Sequence, residues 1–169
     1  MNDDRYLRAL RHLRARLLGW RAVLDAATID QIESAVTASE QRHTAELRIV
    51  VERAMPAWAI LRRGLSARER ALEVFAELHV WDTAANNGVL IYLSLVDHRV
   101  EILADRGALA LVEDSVWSAA CDAIGKAARA GGLLPGLLEG IGILGAALAT
   151  AFPGDGRDPN ELRDRPLVR

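Results

Sequence analysis

The chain has 169 residues, 51% hydrophobic and 26% charged, the makeup of one folded domain rather than a disordered chain. Lys+Arg 21 against Asp+Glu 23 leaves a net charge of −2, which excludes the broad basic surface that nucleic-acid binding needs. A lone cysteine, Cys121, excludes an internal disulfide and any multi-cysteine zinc or iron–sulfur centre.

Nearly all the positive charge is arginine, since Lys126 is the only lysine. Residues 1–25 read as a basic amphipathic helix in which Arg5, Arg8, Arg11, His12, Arg14, Arg16 and Arg21 surround an apolar stripe of Tyr6, Leu10, Leu13 and Leu17. The expected arrangement docks that stripe on the domain and leaves the arginines, with His12, in water. The same helix also suits peripheral contact with an anionic membrane. No uninterrupted apolar run follows the arginines, so no secretory signal is expected and the cytoplasm is the expected compartment.

Residues 26–152 carry the pattern of the domain proper. Thr28 and Gln31 have the spacing of a capping box ahead of Ile29, Ile32 and Val36, which predicts a helix ending near His43. Alternation over Leu47–Glu52 predicts a strand. Met55 to Gly64 reads as a loop or short helical turn. Ser66 and Glu69 form a second capping box, opening a helix expected to turn Leu72, Phe75 and His79 to the core.

Asn86-Asn87-Gly88 is a turn before Val89–Val96, a β-branched run suited to a strand covered on both faces. Asp97-His98 then predicts a two-residue hairpin connection to Arg99–Leu103. Gly107 is expected to take a positive φ after that strand. A helix from about Asp114 is expected to bury Val116, Trp117, Cys121 and Ile124, and Gly131-Gly132 to stop it. Pro135 opens a last helix to about Phe152. Residues 153–169 form a polar tail without apolar period, whose Leu162, Leu167 and Val168 are expected to dock in a neighbour or in a groove of the domain itself.

Strand, helix and strand joined by a right-handed crossover make the first two strands parallel, and the hairpin adds an antiparallel third. The predicted fold class is α/β, a three-layer α/β/α sandwich with a central mixed sheet.

Several signals carry little chemistry. Gly140-Ile141-Gly142-Ile143-Leu144-Gly145 matches a dinucleotide fingerprint, but it lies inside a helical run with no strand before it. Its glycines are expected to bring the helix close to the sheet. Glu139 and Pro135 interrupt the apolar stretch, which favours a core helix over a membrane span. Cys121 lies on an apolar stripe, and the histidines do not assemble a metal site.

The predicted topology brings polar residues together at one sheet edge. Thr44 and Glu46 begin the first strand, Asn86 and Asn87 precede the second, and Asp105 follows the third. Asp114 is expected nearby. Oxygen donors of this kind suit Ca²⁺ or Mg²⁺, with Glu46, Asn87, Asp105 and Asp114 as ligands. Equally, they suit a structural network of caps and turns. The opposite edge offers a sparser set in Arg53, Asp97 and His98.

Asn87-Gly88-Val89-Leu90-Ile91-Tyr92, Asp105-Arg106-Gly107, Trp117, Phe152-Pro153 and Asn160-Glu161-Leu162 with Asp164 together resemble the TPM domain family, in particular its short, soluble bacterial branch. Arg42-His43-Thr44-Ala45-Glu46-Leu47-Arg48 resembles the same branch. The resemblance implies an α/β/α sandwich, calcium binding in some members, acid phosphatase activity in others, and roles in assembling membrane complexes. Asn86 stands where many longer members carry Asp, and Ala104 replaces a glycine. The resulting expectation is a non-catalytic interaction or assembly module with a divalent-ion site, joined to a protein partner or a second copy of itself. The alternative is a metal-assisted phosphatase acting on phosphomonoesters, with Arg106 and Asn86 on the substrate.

Overall fold

The computed structural model describes residues 3–17, 24–154 and 160–169. Its elements are α1 (Asp3–Leu17), α2 (Ala26–Glu40), β1 (Leu47–Glu52), α3 (Ala57–Arg63), α4 (Ala67–Glu77), β2 (Val89–Ser94), β3 (Arg99–Ala104), α5 (Arg106–Leu111), α6 (Asp114–Arg129), α7 (Leu133–Ala151) and β4 (Leu167–Val168). Every residue of β1 and β2 is buried, because apolar or hydrogen-bonded side chains cover both faces. The sheet order is β3-β2-β1-β4, with β1 parallel to β2 and β4, and β3 antiparallel to β2.

Alternation divides the sheet into two packed faces. Leu47, Ile49, Val51, Val89, Ile91 and Ile102 meet α2, α6 and α7 through Ile32, Val36, Ile124, Leu137 and Leu144. Val50, Leu90, Tyr92 and Leu103 meet α4 through Ala71 and Val74, with Leu162 and Leu167 beside them. The chain is an α/β sandwich around a mixed sheet, as the sequence predicts. Truncating a central side chain such as Ile49 to Ala would cost about 3 kcal/mol.

Several local expectations are corrected. Asp25, not Thr28, caps α2, accepting the Thr28 N–H at 2.8 Å. The Ser66–Glu69 capping box is present, but α4 buries Ala67, Arg70, Ala71 and Val74. Leu72 and His79 are exposed, and Phe75 is half-buried. The β2–β3 connection has four residues rather than two, and His98 holds its left-handed position. After β3 the chain enters α5 at once, with Asp105 capping the Arg106 N–H at 2.7 Å. Gly107 lies inside that helix and has no positive φ.

Gly136, Gly140 and Gly145 of α7 approach other helices or the turn after α2, not the sheet, and Gly142 faces open space. A Cβ on Gly140 would stand 2.6 Å from the Ile124 side chain, and one on Gly136 2.6 Å from Ala127 Cβ. By length and composition α7 could cross a membrane, yet here Leu137, Ile141, Leu144 and Leu148 are core residues.

The largest departures are at the two ends. Tyr6, Leu10, Leu13 and Leu17 do not dock; all four are exposed, and α1 is held through Ala9 and His12 instead. Ala9 packs with Met55, Ala59, Ile60 and Leu65 in a small cluster between α1 and α3. Trp20 and Arg21, expected to continue the helix, lie outside the described residues. Residues 160–169 dock on their own domain, the intramolecular one of the two expected arrangements, through Leu162, Leu167 and Val168. Leu167–Val168 adds β4 to the sheet, and the Arg48 guanidinium donates to the carbonyls of Arg163 and Arg165, each at 2.6 Å.

Candidate functional site

The sheet register extends one residue past its strands. Leu47 pairs with Val89, and Val89 with Ala104. Beyond them, the Val89 N–H donates to Glu46 O at 2.8 Å and the Asp105 N–H to Gly88 O at 2.8 Å. Glu46, Gly88 and Asp105 therefore form one row across the edge, with Asn87 next to it. Side-chain alternation puts Glu46 with Arg48 and Val50, and Asp105 with Leu103, on the α4 face.

Each residue is fixed by backbone. Asn87 is fully buried, its Nδ2 donating to Thr44 O at 2.7 Å and its N–H to Thr83 Oγ1 at 3.0 Å. Glu46 is fully buried and its Oε2 accepts the Leu162 N–H at 2.8 Å. Glycine is required twice around this loop, once within it and once in α5 against it. A Cβ on Gly88 would stand 1.9 Å from Val80 O, and one on Gly107 2.5 Å from Asn86 O. The Gly107 N–H instead donates to that carbonyl at 2.9 Å, tying the loop to α5.

Two oxygens of the row have no donor. Asn87 Oδ1 and Asp105 Oδ2 are buried and accept no hydrogen bond among the described residues. A buried acceptor left in that state costs about 1–3 kcal/mol. Hard oxygen donors of this kind fit Ca²⁺ or Mg²⁺. No group of three or more His, Cys, Asp or Glu side chains suited to a metal occurs among the described residues. A cation here would therefore rely on amide and backbone oxygens beside Glu46 and Asp105.

Asp114 does not join the row. It is exposed at the start of α6, beyond the intervening α5, and no described contact links it to the other three. Asn86 and Arg106 do come together at the rim, with Arg106 Nη2 donating to Asn86 Oδ1 at 3.3 Å. Asn86 holds its turn at φ 52°.

Sequence reasoning offered Leu162, Leu167 and Val168 for docking but missed the tail's polar contacts at the edge. Glu161 accepts the Ala84 N–H at 3.0 and 3.2 Å, and Asp164 accepts from Thr37 Oγ1 and from Asn160 Nδ2. The only available signal was the Asn-Glu-Leu motif, which has no periodicity.

The opposite edge is also more organised than expected. His12 is buried, not exposed, and it pairs with a carboxylate. Asp97 accepts Arg8 Nε at 2.9 Å, Arg8 Nη2 at 2.7 Å and His12 Nε2 at 3.0 Å. Burial pushes the Asp97 carboxyl up, but the bonds from Arg8 and His12 outweigh it and hold the group well below the usual carboxylate range. His12 Nδ1 accepts the Met55 N–H at 3.0 Å, so both ring nitrogens are engaged and neither is available as a base. His98 is exposed and Arg53 lies at the end of β1, so the three residues anticipated at this edge do not act as a unit.

Beside them, Tyr92 donates its hydroxyl to Glu52 Oε2 at 2.5 Å, and Arg70 Nε donates to the same oxygen at 3.0 Å. Burial and the Glu52 charge push the Tyr92 hydroxyl far up, keeping it a neutral donor. Burial also raises the Cys121 thiol, leaving it a poor nucleophile.

The TPM domain family matches residues 21–147. The chain belongs to the TPM domain family. This TPM domain is similar to the BA42 protein of the psychrophilic bacterium Bizionia argentinensis, solved by NMR, at 29% identity and a TM-score of 0.77. The likeness covers 89% of this chain and 99% of BA42. No curated protein matches the TPM domain described here.

Proposed function

We propose that this TPM domain is a non-catalytic interaction or assembly module whose loop edge is set by a divalent cation, Ca²⁺ or Mg²⁺, held through Glu46, Asn87 and Asp105. The observation that carries the reading is the pair of buried, donorless oxygens, Asn87 Oδ1 and Asp105 Oδ2, on neighbouring segments of one edge. A cation would supply the positive charge they lack. It would also link the loop before β2, the end of β3 and, through Glu46, the segment at Leu162. Asn86 and Arg106 at the rim would then present fixed polar groups to a protein partner.

Hydrolysis of phosphomonoesters is the weaker reading. Thr83 Oγ1, a hydroxyl in the loop, already accepts the Asn87 N–H. Cys121 sits on α6 with the opposite core. Calorimetric titration of Ca²⁺ and Mg²⁺ into the wild type, Asp105→Asn and Asn87→Ala tests the cation directly. One-site heat in the wild type, lost in Asp105→Asn, is expected. A flat trace with both ions overturns the proposal. Ion-dependent turnover of an aryl phosphate, abolished by Asp105→Asn, would replace it with the phosphatase.

A further inference from the structure

We propose that the outward face of α1 is a docking face for an anionic lipid surface. Tyr6, Leu7, Leu10, Leu13 and Leu17 are between 43% and 76% exposed. At 100° per residue, four of them (Tyr6, Leu10, Leu13 and Leu17) fall within an arc of about 60°, and Leu7 borders it. An apolar stripe on a surface helix ordinarily turns to the core, but here the opposite side is the anchored one. Arg8 donates to Asp97 and to Leu65 O at 2.7 Å, His12 is clamped between Asp97 and the Met55 N–H, and Ala9 is buried. Those contacts fix the rotation of α1 and hold its leucines in solvent.

The charge around the stripe selects the occupant. Five arginines and two aspartates lie within α1. Arg8 is spent on Asp97, whereas Arg11, Arg14 and Arg16 form no ion pair among the described residues. Next to α1, α3 adds exposed Trp58 and Leu61 with Arg62, and Arg63 lies 5.8 Å over the Trp58 ring. A second copy in parallel register would set arginines against arginines, and an antiparallel one would pair only the helix ends, Asp4 against Arg14 and Arg16. An anionic bilayer instead accepts leucines and aromatic rings at the headgroup boundary and places lipid phosphates beside the guanidinium groups. A 15-residue helix, about 22 Å long, lies flat on such a surface and is too short to span it.

The test is co-sedimentation of the full chain with vesicles of phosphatidylcholine alone and of phosphatidylcholine mixed with phosphatidylglycerol. Binding to the mixed vesicles only, weakened by high salt, is expected. Leu10→Glu with Leu13→Glu should abolish it, and Arg11→Gln with Arg14→Gln should weaken it about 25-fold. All four side chains point outward, so circular dichroism and melting should match the wild type and separate lost docking from lost fold. Asp105→Asn should bind as the wild type does, which keeps this outcome apart from that of the cation proposal. Absence of binding at low salt overturns the inference, as does equal binding by either double variant. A dimer in light scattering that Leu10→Glu with Leu13→Glu dissociates would assign the face to a second copy and overturn it too.

Discussion

Asp97 ties together segments that the chain keeps 85 and 89 positions apart, accepting from both His12 and Arg8 while only slightly exposed. Because its folded carboxyl is held below the unfolded value, its charge stabilises the fold above about pH 4 and the contribution fades as acid protonates the native group. Asp97→Asn should therefore lower the unfolding free energy most at neutral pH. The gap to the wild type should narrow as pH falls toward about 3, measured by urea unfolding across the series. Asp97→Ala, which leaves the Arg8 and His12 donors facing nothing, should cost about 3 kcal/mol at neutral pH. A second residue-scale prediction concerns Gly107. Its Cβ would collide with backbone oxygens of Asn86 and Ala85, at 2.5 and 2.8 Å, and neither can yield as a flexible side chain does. Gly107→Ala should lower the melting temperature by several degrees and, under the cation proposal, weaken the titration heat by shifting the loop that carries Asn87.

Among the elements, the segment 160–169 contributes more than its two-residue strand suggests. It supplies the carbonyl partners of buried Arg48, the donor to Glu46 Oε2 and a buried carboxylate, Asp164, for Thr37. Truncation after Gly154 leaves the Arg48 guanidinium inside without acceptors, at a cost of about 3–5 kcal/mol. The melting temperature should fall by about 10 °C while far-UV circular dichroism keeps its helical form. An unchanged melting temperature would mean that Arg48 finds water or another acceptor. The apolar anchors Leu162, Leu167 and Val168 were legible in the sequence; the polar contacts were not, because docking by backbone carbonyls and single polar side chains leaves no period.

The strands were legible for the opposite reason. Leu47–Glu52 and Val89–Ser94 are β-branched and apolar enough to demand cover on both faces, and the crossover rule then set them parallel. That topology brought Glu46, Asn87 and Asp105 to one edge in advance, but not Asp114, because α5 stands where no element was predicted between the third strand and the helix at Asp114. In α1 the period located the apolar stripe correctly and its burial wrongly. Amphipathicity reports which side is apolar, whereas an ion pair and a buried histidine decided which side faces inward.

Across the whole molecule, α1 and the candidate cation edge occupy opposite ends of the sheet. Asp97 sits in the turn before β3 and Asp105 just after it, so the six residues of β3 separate them by roughly 20 Å. No described side chain is shared between the two clusters. Effects on unfolding at the two ends should then be independent. In urea denaturation, Asp97→Ala combined with Asp105→Ala should equal the sum of the single changes to within about 0.5 kcal/mol. The matching cycle within one end should fail to add. Glu46 accepts the Leu162 N–H, so Glu46→Gln loses much of its effect once residues beyond Gly154 are removed, and the coupling should reach about 1 kcal/mol. Coupling of that size between Asp97 and Asp105 would mean that the sheet transmits strain along β3. In that case a protein bound at one end would alter the other, and the lipid-facing helix and the cation edge would have to be treated as one linked device.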